Sequence, residues 1–201
     1  ICSLINEKQD ASVSGVEFTK EGVLLTRSNG VAEYWKTDLL SHTCELKSQI
    51  PGTAGINASI HPLNPYFLYG PTNTSWGMYN LETGSKLCQI ELENEDELTC
   101  VTVHPDGLMM ATGSTKGEIK IWDIRNQSVV ATFDGHAGPI KSIKFSEKAI
   151  HLVSSSANEN ILHLWSLKKL NNPPQQLVHK QGSKISSVDF DPFGSYVVSA
   201  C

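Results

Sequence analysis

Two markers recur along this chain of 201 residues at one period. That period constrains the fold more than any single motif does. The first marker is a six-residue template: apolar, any, small, apolar, any, large apolar. It fits 13–18 (VSGVEF), 98–103 (LTCVTV), 140–145 (IKSIKF) and 185–190 (ISSVDF), with a weaker copy at 55–60 (GINASI). The final residues are Phe18, Ile60, Val103, Phe145 and Phe190, spaced 42, 43, 42 and 45 apart. The second marker is an aromatic anchor that follows each of the first four copies. The anchors are Trp35, Tyr79, Trp122 and Trp165, spaced 44, 43 and 43 apart.

Each copy splits into strand-length runs rich in Val, Ile, Thr and aromatics, separated by turn residues. No segment carries a helical period over a useful length. In the copy around Trp122, 99–104 reads as a first strand a, and Pro105-Asp106-Gly107 as a tight turn. Strand b follows at 109–113, a Lys116-Gly117 turn next, then strand c at 119–123 and strand d at 129–133. Asn29-Gly30 is the corresponding b–c turn in the first copy and a strong hairpin signal.

Four short antiparallel strands per period of about 43 residues is the signature of a β-propeller blade. Blades stack face to face, so both faces of each sheet are buried and apolar residues fall on both parities. Crowding of the innermost strands accounts for the small residue inside strand a, namely Gly15, Cys100, Ser142 and Ser187. The reading is an all-β chain forming one partial propeller. Complete blades are expected at 13–47, 55–90, 98–133 and 140–180. Residues 1–7 read as strand d of a preceding blade, and 185–201 as the first strands of a further one.

Composition bounds the function. Hydrophobic residues make up 39% and charged residues 18%, a globular balance. The net charge of −5 argues against a surface given over to nucleic acid. Apolar runs are far shorter than a membrane span, so no membrane partner is expected. The five cysteines include no Cys-x-x-Cys pair and read as reduced intracellular thiols.

Trp122-Asp123 and Gly135-His136, set at this period, resemble the WD-repeat family. In that family Gly-His precedes strand a, Trp-Asp closes strand c, and an Asp six residues before the Trp bonds the His ring. Here the Trp-Asp positions of the other copies read Trp35-Lys36, Tyr79-Asn80 and Trp165-Ser166. The Asp positions hold Asn29, Asn73, Lys116 and Glu159. The resemblance thus implies that His136 is a loop clamp, compromised by Glu159, in a divergent propeller less rigid than a consensus one.

A denser match lies in LTCVTVHPDGL (98–108), EIKIWDI (118–124), ATFDGHAGPIKSIKFSE (131–147) and LHLWSLKKL (162–170). These segments resemble the propeller of the pre-mRNA-processing factor nineteen family. Gly138-Pro139-Ile140 and Ser146-Glu147 exceed what a generic repeat requires. The resemblance implies a nuclear spliceosomal scaffold with seven blades, roughly 300 residues at this period. By that measure about 100 propeller residues lie outside this chain, which reads as a fragment. Family members carry a U-box with ubiquitin-ligase activity and a tetramer-forming coiled coil, and neither element falls within these 201 residues. The propeller is the family's end for binding substrates and partners. The implied partners are spliceosomal subunits and ubiquitylation substrates.

No catalytic constellation, cofactor or metal is expected. His136 has no Cys, Asp or Glu at ligand spacing in sequence, and no nucleophile is paired with it. His61 and His104 precede Pro and read as turn residues. Gly113 to Gly117 lacks the spacing and the following helix of a phosphate loop. Trp76 has two readings, a core strand residue or an exposed hot spot. With Lys116, Lys141, Lys168 and Lys169 it makes up the candidate partner-binding set. Lys168-Lys169 also leaves RNA contact open. The alternative function is a WD-repeat scaffold of another complex, in transcription, signalling or a cullin ligase. An enzyme of propeller architecture is the third reading.

Overall fold

The computed structural model describes residues 11–19, 21–38, 43–50, 58–64, 66–72, 74–92, 97–148, 150–170, 172–178 and 184–201. The expected strand at 1–7 lies outside them, as does the first half of the weak template copy at 55–60. All regular structure among the described residues is strand, and no helix there is long and apolar enough to cross a membrane. The chain divides into two compact units, Ile1–Leu92 and Glu93–Cys201.

The first unit holds two four-stranded antiparallel sheets. One runs β1 (Val13–Phe18), β2 (Gly22–Arg27), β3 (Ala32–Asp38), β4 (Thr43–Ile50) in that order. The other runs β5 (Ser59–Ile60), β6 (Tyr66–Thr72), β7 (Ser75–Asn80), β8 (Lys86–Glu91). Their shared core joins Leu24, Ala32, Tyr34 and Ile50 to Tyr79 and Leu81. The Ser48 hydroxyl donates to the Leu81 carbonyl at 2.6 Å, and the Ile60 amide to Glu17 Oε2 at 2.6 Å.

The second unit repeats the plan. Its first sheet runs β9 (Leu98–Val103), β10 (Met109–Ser114), β11 (Glu118–Asp123), β12 (Ser128–Asp134). The next runs β13 (Ile140–Phe145), β14 (His151–Ser156), β15 (Ile161–Ser166), β16 (Gln175–Val178). A two-stranded pair, β17 (Ser187–Phe190) and β18 (Val197–Ala200), follows.

The β13–β16 sheet shows why apolar residues occupy both parities. Leu152 and Trp165 join Cys100, Ala111 and Phe133 in one core, where the Phe133 and Trp165 rings stack at 4.8 Å. Neighbouring Val153 and Leu162 turn the other way, into a core with Ile185 and, on β17, Val188. Crowding is tight at a glycine of strand b. An added Cβ at Gly113 would lie 2.7 Å from Ile140 Cγ2 and 2.9 Å from Cys100 Sγ, so nothing larger fits between these strands. Ser142 Oγ accepts the Val188 amide at 3.3 Å, tying adjacent first strands together.

A regular irregularity marks the aromatic anchors. The ladder between strands c and d shifts register at Tyr34/Trp35, at Met78/Tyr79 and at Ile121/Trp122. Such bulges bend the strand and re-aim side chains.

One expectation about the cysteines is corrected. Cys44 is disulfide-bonded. The odd count and the absence of a Cys-x-x-Cys had hidden a pairing that depends on chain folding rather than on spacing. Cys88 and Cys100 are free, and burial pushes the Cys100 thiol up to about 12, which makes it inert.

Candidate functional site

Each sheet builds its polar interior from strand c. In the sheet ending at β12, Trp122 Nε1 donates to Thr112 Oγ1 at 2.9 Å. In the next sheet, Trp165 Nε1 donates to Ser154 Oγ at 2.9 Å. Ser154 Oγ also lies 2.7 Å from His136 Nε2, and His136 Nδ1 lies 2.5 Å from Glu159 Oε2. The second Glu159 oxygen accepts the Ala137 amide at 2.9 Å. The clamp therefore runs unbroken from Trp165 through Ser154 and His136 to Glu159.

This corrects the expectation of a compromised His136. The longer Glu side chain reaches the ring from its turn and replaces the family's Asp. Burial pushes the Glu159 carboxyl up, but the His136 hydrogen bond and the Ala137 amide outweigh it and hold it below the usual range. Gly135 has no side chain because an added Cβ would lie 3.0 Å from the Trp165 ring. Gly117 has φ of +89°, and an added Cβ there would overlap the His136 carbonyl oxygen. The b–c turn of one sheet is thus seated on the Gly-His loop leading to the next.

The first sheet solves the same problem with different residues. The position equivalent to Ser154 is Leu25, so Trp35 Nε1 turns to Glu33 Oε2 at 3.1 Å. Glu33 is fully buried, and it also accepts from Arg27 Nη2 at 2.9 Å and Gln49 Nε2 at 3.1 Å. Burial raises the Glu33 carboxyl, yet Arg27, Trp35 and Gln49 together hold it below its ordinary value. Sequence reasoning missed this ion pair. Arg27 and Glu33 flank the Asn29-Gly30 turn, and only the hairpin register turns both inward.

The remaining repeat marks close turns. Asp123 Oδ1 accepts the amides of Arg125 and Asn126 at 2.8 and 3.2 Å. Asn80 does the same for Glu82 and Thr83 at 2.9 and 3.0 Å. His61 Nδ1 accepts the Leu63 and Asn64 amides at 3.2 Å each, and His104 Nδ1 lies 2.7 Å from Asp106 Oδ1. Both histidines are turn residues.

The candidate partner-binding residues are not brought together. Trp76 is 0% exposed, which corrects the reading of it as a surface anchor. Consecutive Ser75, Trp76 and Gly77 are all buried, so both faces of β7 are covered there. Lys116, Lys141, Lys168 and Lys169 are exposed, all in the second unit. Lys116 in the b–c turn and Lys141 at the start of strand a mark one end of the sheets. Lys168 and Lys169 follow strand c and mark the other end, which also carries the exposed apolar residues Leu108, Leu170 and Phe193.

Comparison with known proteins agrees with this architecture. The β-propeller family model described as Nucleolar protein 10-like, N-terminal domain, matches residues 71–191. Pre-mRNA-processing factor 19 homolog 2 of Arabidopsis thaliana is 39% identical over 140 residues, 69% of this chain and 26% of its own length. Pre-mRNA-processing factor 19 of Oryza sativa subsp. japonica is 33% identical over 160 residues, 79% of this chain and 28% of its own length. The Bos taurus protein of the same name is 40% identical over 88 residues, 43% of this chain and 18% of its own length. The chain thus spans about a quarter of the length of the plant relatives it matches. With its repeated four-stranded sheets and Trp-anchored clamps, the chain belongs to the Nucleolar protein 10-like N-terminal β-propeller family, as a WD-repeat portion similar to that of Pre-mRNA-processing factor 19.

Proposed function

We propose that this chain is part of the partner-binding propeller of a nuclear pre-mRNA splicing factor that is also a U-box ubiquitin ligase. The similarity to Pre-mRNA-processing factor 19 across 69% of the chain carries this reading. The chain acts as a non-catalytic scaffold, holding spliceosomal subunits or ubiquitylation substrates while the parent's U-box performs the transfer. The parent assembles as a homotetramer through its coiled coil. Rigid sheets that present variable turns suit this work, because partner contacts accumulate on loops without disturbing the core. Leu108, Leu170 and Phe193, with Lys168 and Lys169 at the same end, provide apolar anchors next to charge, as protein-binding surfaces do.

The test is capture of spliceosomal subunits by the parent protein, set against an unrelated WD-repeat propeller. Enrichment that falls in a Leu170→Ser, Phe193→Ser double variant supports both the role and the surface. No enrichment over the unrelated propeller refutes the role. The family description, which names a nucleolar protein, favours a scaffold of another nuclear complex as the second reading. A parent sequence with neither U-box nor coiled coil would select it.

A further inference from the structure

His136, Glu159 and His163 each bring one ligating atom within 4.8 Å of the other two. The clamp described above needs only one imidazole. Here a second ring, His163 on β15, stacks on His136 with centroids 4.0 Å apart and planes 16° apart. Its place in strand c is two residues before Trp165, and its edge meets that ring at 5.5 Å.

His163 is 2% exposed, and its Nδ1 has no hydrogen-bond partner. Leaving such a group unsatisfied costs about 1–3 kcal/mol. An added Cβ at Gly135 would lie 3.3 Å from that Nδ1, so the nitrogen faces the backbone immediately before His136. The other ring nitrogen, Nε2, lies 3.4 Å from Gln176 Nε2. The clamp's structural role explains none of this.

Two imidazoles and a carboxylate are the donor set of a borderline divalent ion. We propose that His136, Glu159 and His163 form a binding site for one divalent transition-metal ion of the zinc class. The ion takes the place of the proton between His136 Nδ1 and Glu159 Oε2. Metal bonds of about 2.0–2.2 Å set neighbouring donors roughly 3.3 Å apart. Glu159 therefore withdraws by about 1 Å from its present 2.5 Å contact, and the stacked rings tilt apart at their nitrogen edge. Glu159 stands on the turn between β14 and β15 with its side chain 18% exposed, so its carboxylate moves without disturbing a strand. Ser154 holds the far nitrogen of His136 at 2.7 Å, the outer support that ligating histidines ordinarily have.

The experiment is a Co²⁺ titration of this chain followed by visible absorption, then Zn²⁺ competition and thermal melts with and without Zn²⁺. The expected result is one equivalent of Co²⁺ with a strong four-coordinate band, displaced by Zn²⁺, and a melting temperature raised by Zn²⁺. His163→Phe keeps an aromatic ring in the stack and leaves the clamp intact. It should bind at least tenfold more weakly and lose the Zn²⁺-dependent melting shift. Glu159→Gln should do the same, and decides the matter if His163→Phe fails to fold. Absence of binding by the unaltered chain, or binding unchanged in the folded variant, overturns the proposal.

Discussion

Replacing Glu159 with Gln removes one charge and almost no volume. The carboxylate contacts His136 Nδ1 at 2.5 Å and accepts the Ala137 amide at 2.9 Å. Gln keeps an acceptor for the amide but loses the charge-assisted bond to the ring. Such bonds contribute about 1.5–3 kcal/mol. The Glu159 side chain is 18% exposed, and that access to water places the expected loss near the lower end, about 1.5–2 kcal/mol. For a chain of this size that corresponds to a fall in melting temperature of roughly 3–8 °C. The pH dependence has a definite sign. Glu159 has a lower pKa folded than unfolded. Its contribution is therefore complete above the unfolded carboxyl pKa and is lost as pH falls through the folded one. The gap between the unaltered chain and the variant should be full at pH 7 and shrink below about pH 4.5. Urea unfolding at a series of pH values measures it. A gap under about 0.5 kcal/mol at pH 7 would show that the clamp is dispensable. A gap unchanged at low pH would show that charge is not what holds it.

Arg27→Ala should destabilise the first unit by about 3–5 kcal/mol, because it strands Glu33 as a buried unpaired charge. The double change Arg27→Met, Glu33→Leu should be far milder, and equal losses in the two would contradict that account. Trp76→Ala should cost about 3–5 kcal/mol in unfolding experiments, as for other fully buried large side chains. A loss under about 1 kcal/mol would restore the surface reading. Gly117→Ala should cost at least about 1 kcal/mol from its +89° φ alone, with more from the overlap with the His136 carbonyl. Differential scanning calorimetry checks it, and a neutral result would mean that the turn can move away.

The architecture was legible because a propeller writes its period into the chain. Every four-stranded sheet carries an aromatic in strand c, so the spacings of Trp35, Tyr79, Trp122 and Trp165 announced both period and strand type. Turn chemistry was equally local: His61, His104 and Asp123 bond amides within three residues of themselves. These interactions depend on neighbours in sequence, and neighbours in sequence can be read.

What only the tertiary structure decided involves partners brought together by register and stacking. Glu159 completes the His136 clamp across 23 positions, and His163 stacks on the same ring across 27. No spacing rule covers either pair, because the loop entering β13 meets the β14–β15 hairpin only once the β13–β16 sheet has formed. Glu33 and Arg27 are charges that a sequence reading assigns to the surface, and pairing within the hairpin buried both. Trp76 could be read as core or surface because burial belongs to both faces of a strand, and a sequence shows neither face. The sequence by itself determined the repeat, the strands and the family. Folding determined which polar groups are buried against one another, and with that which of them are free to bind anything else.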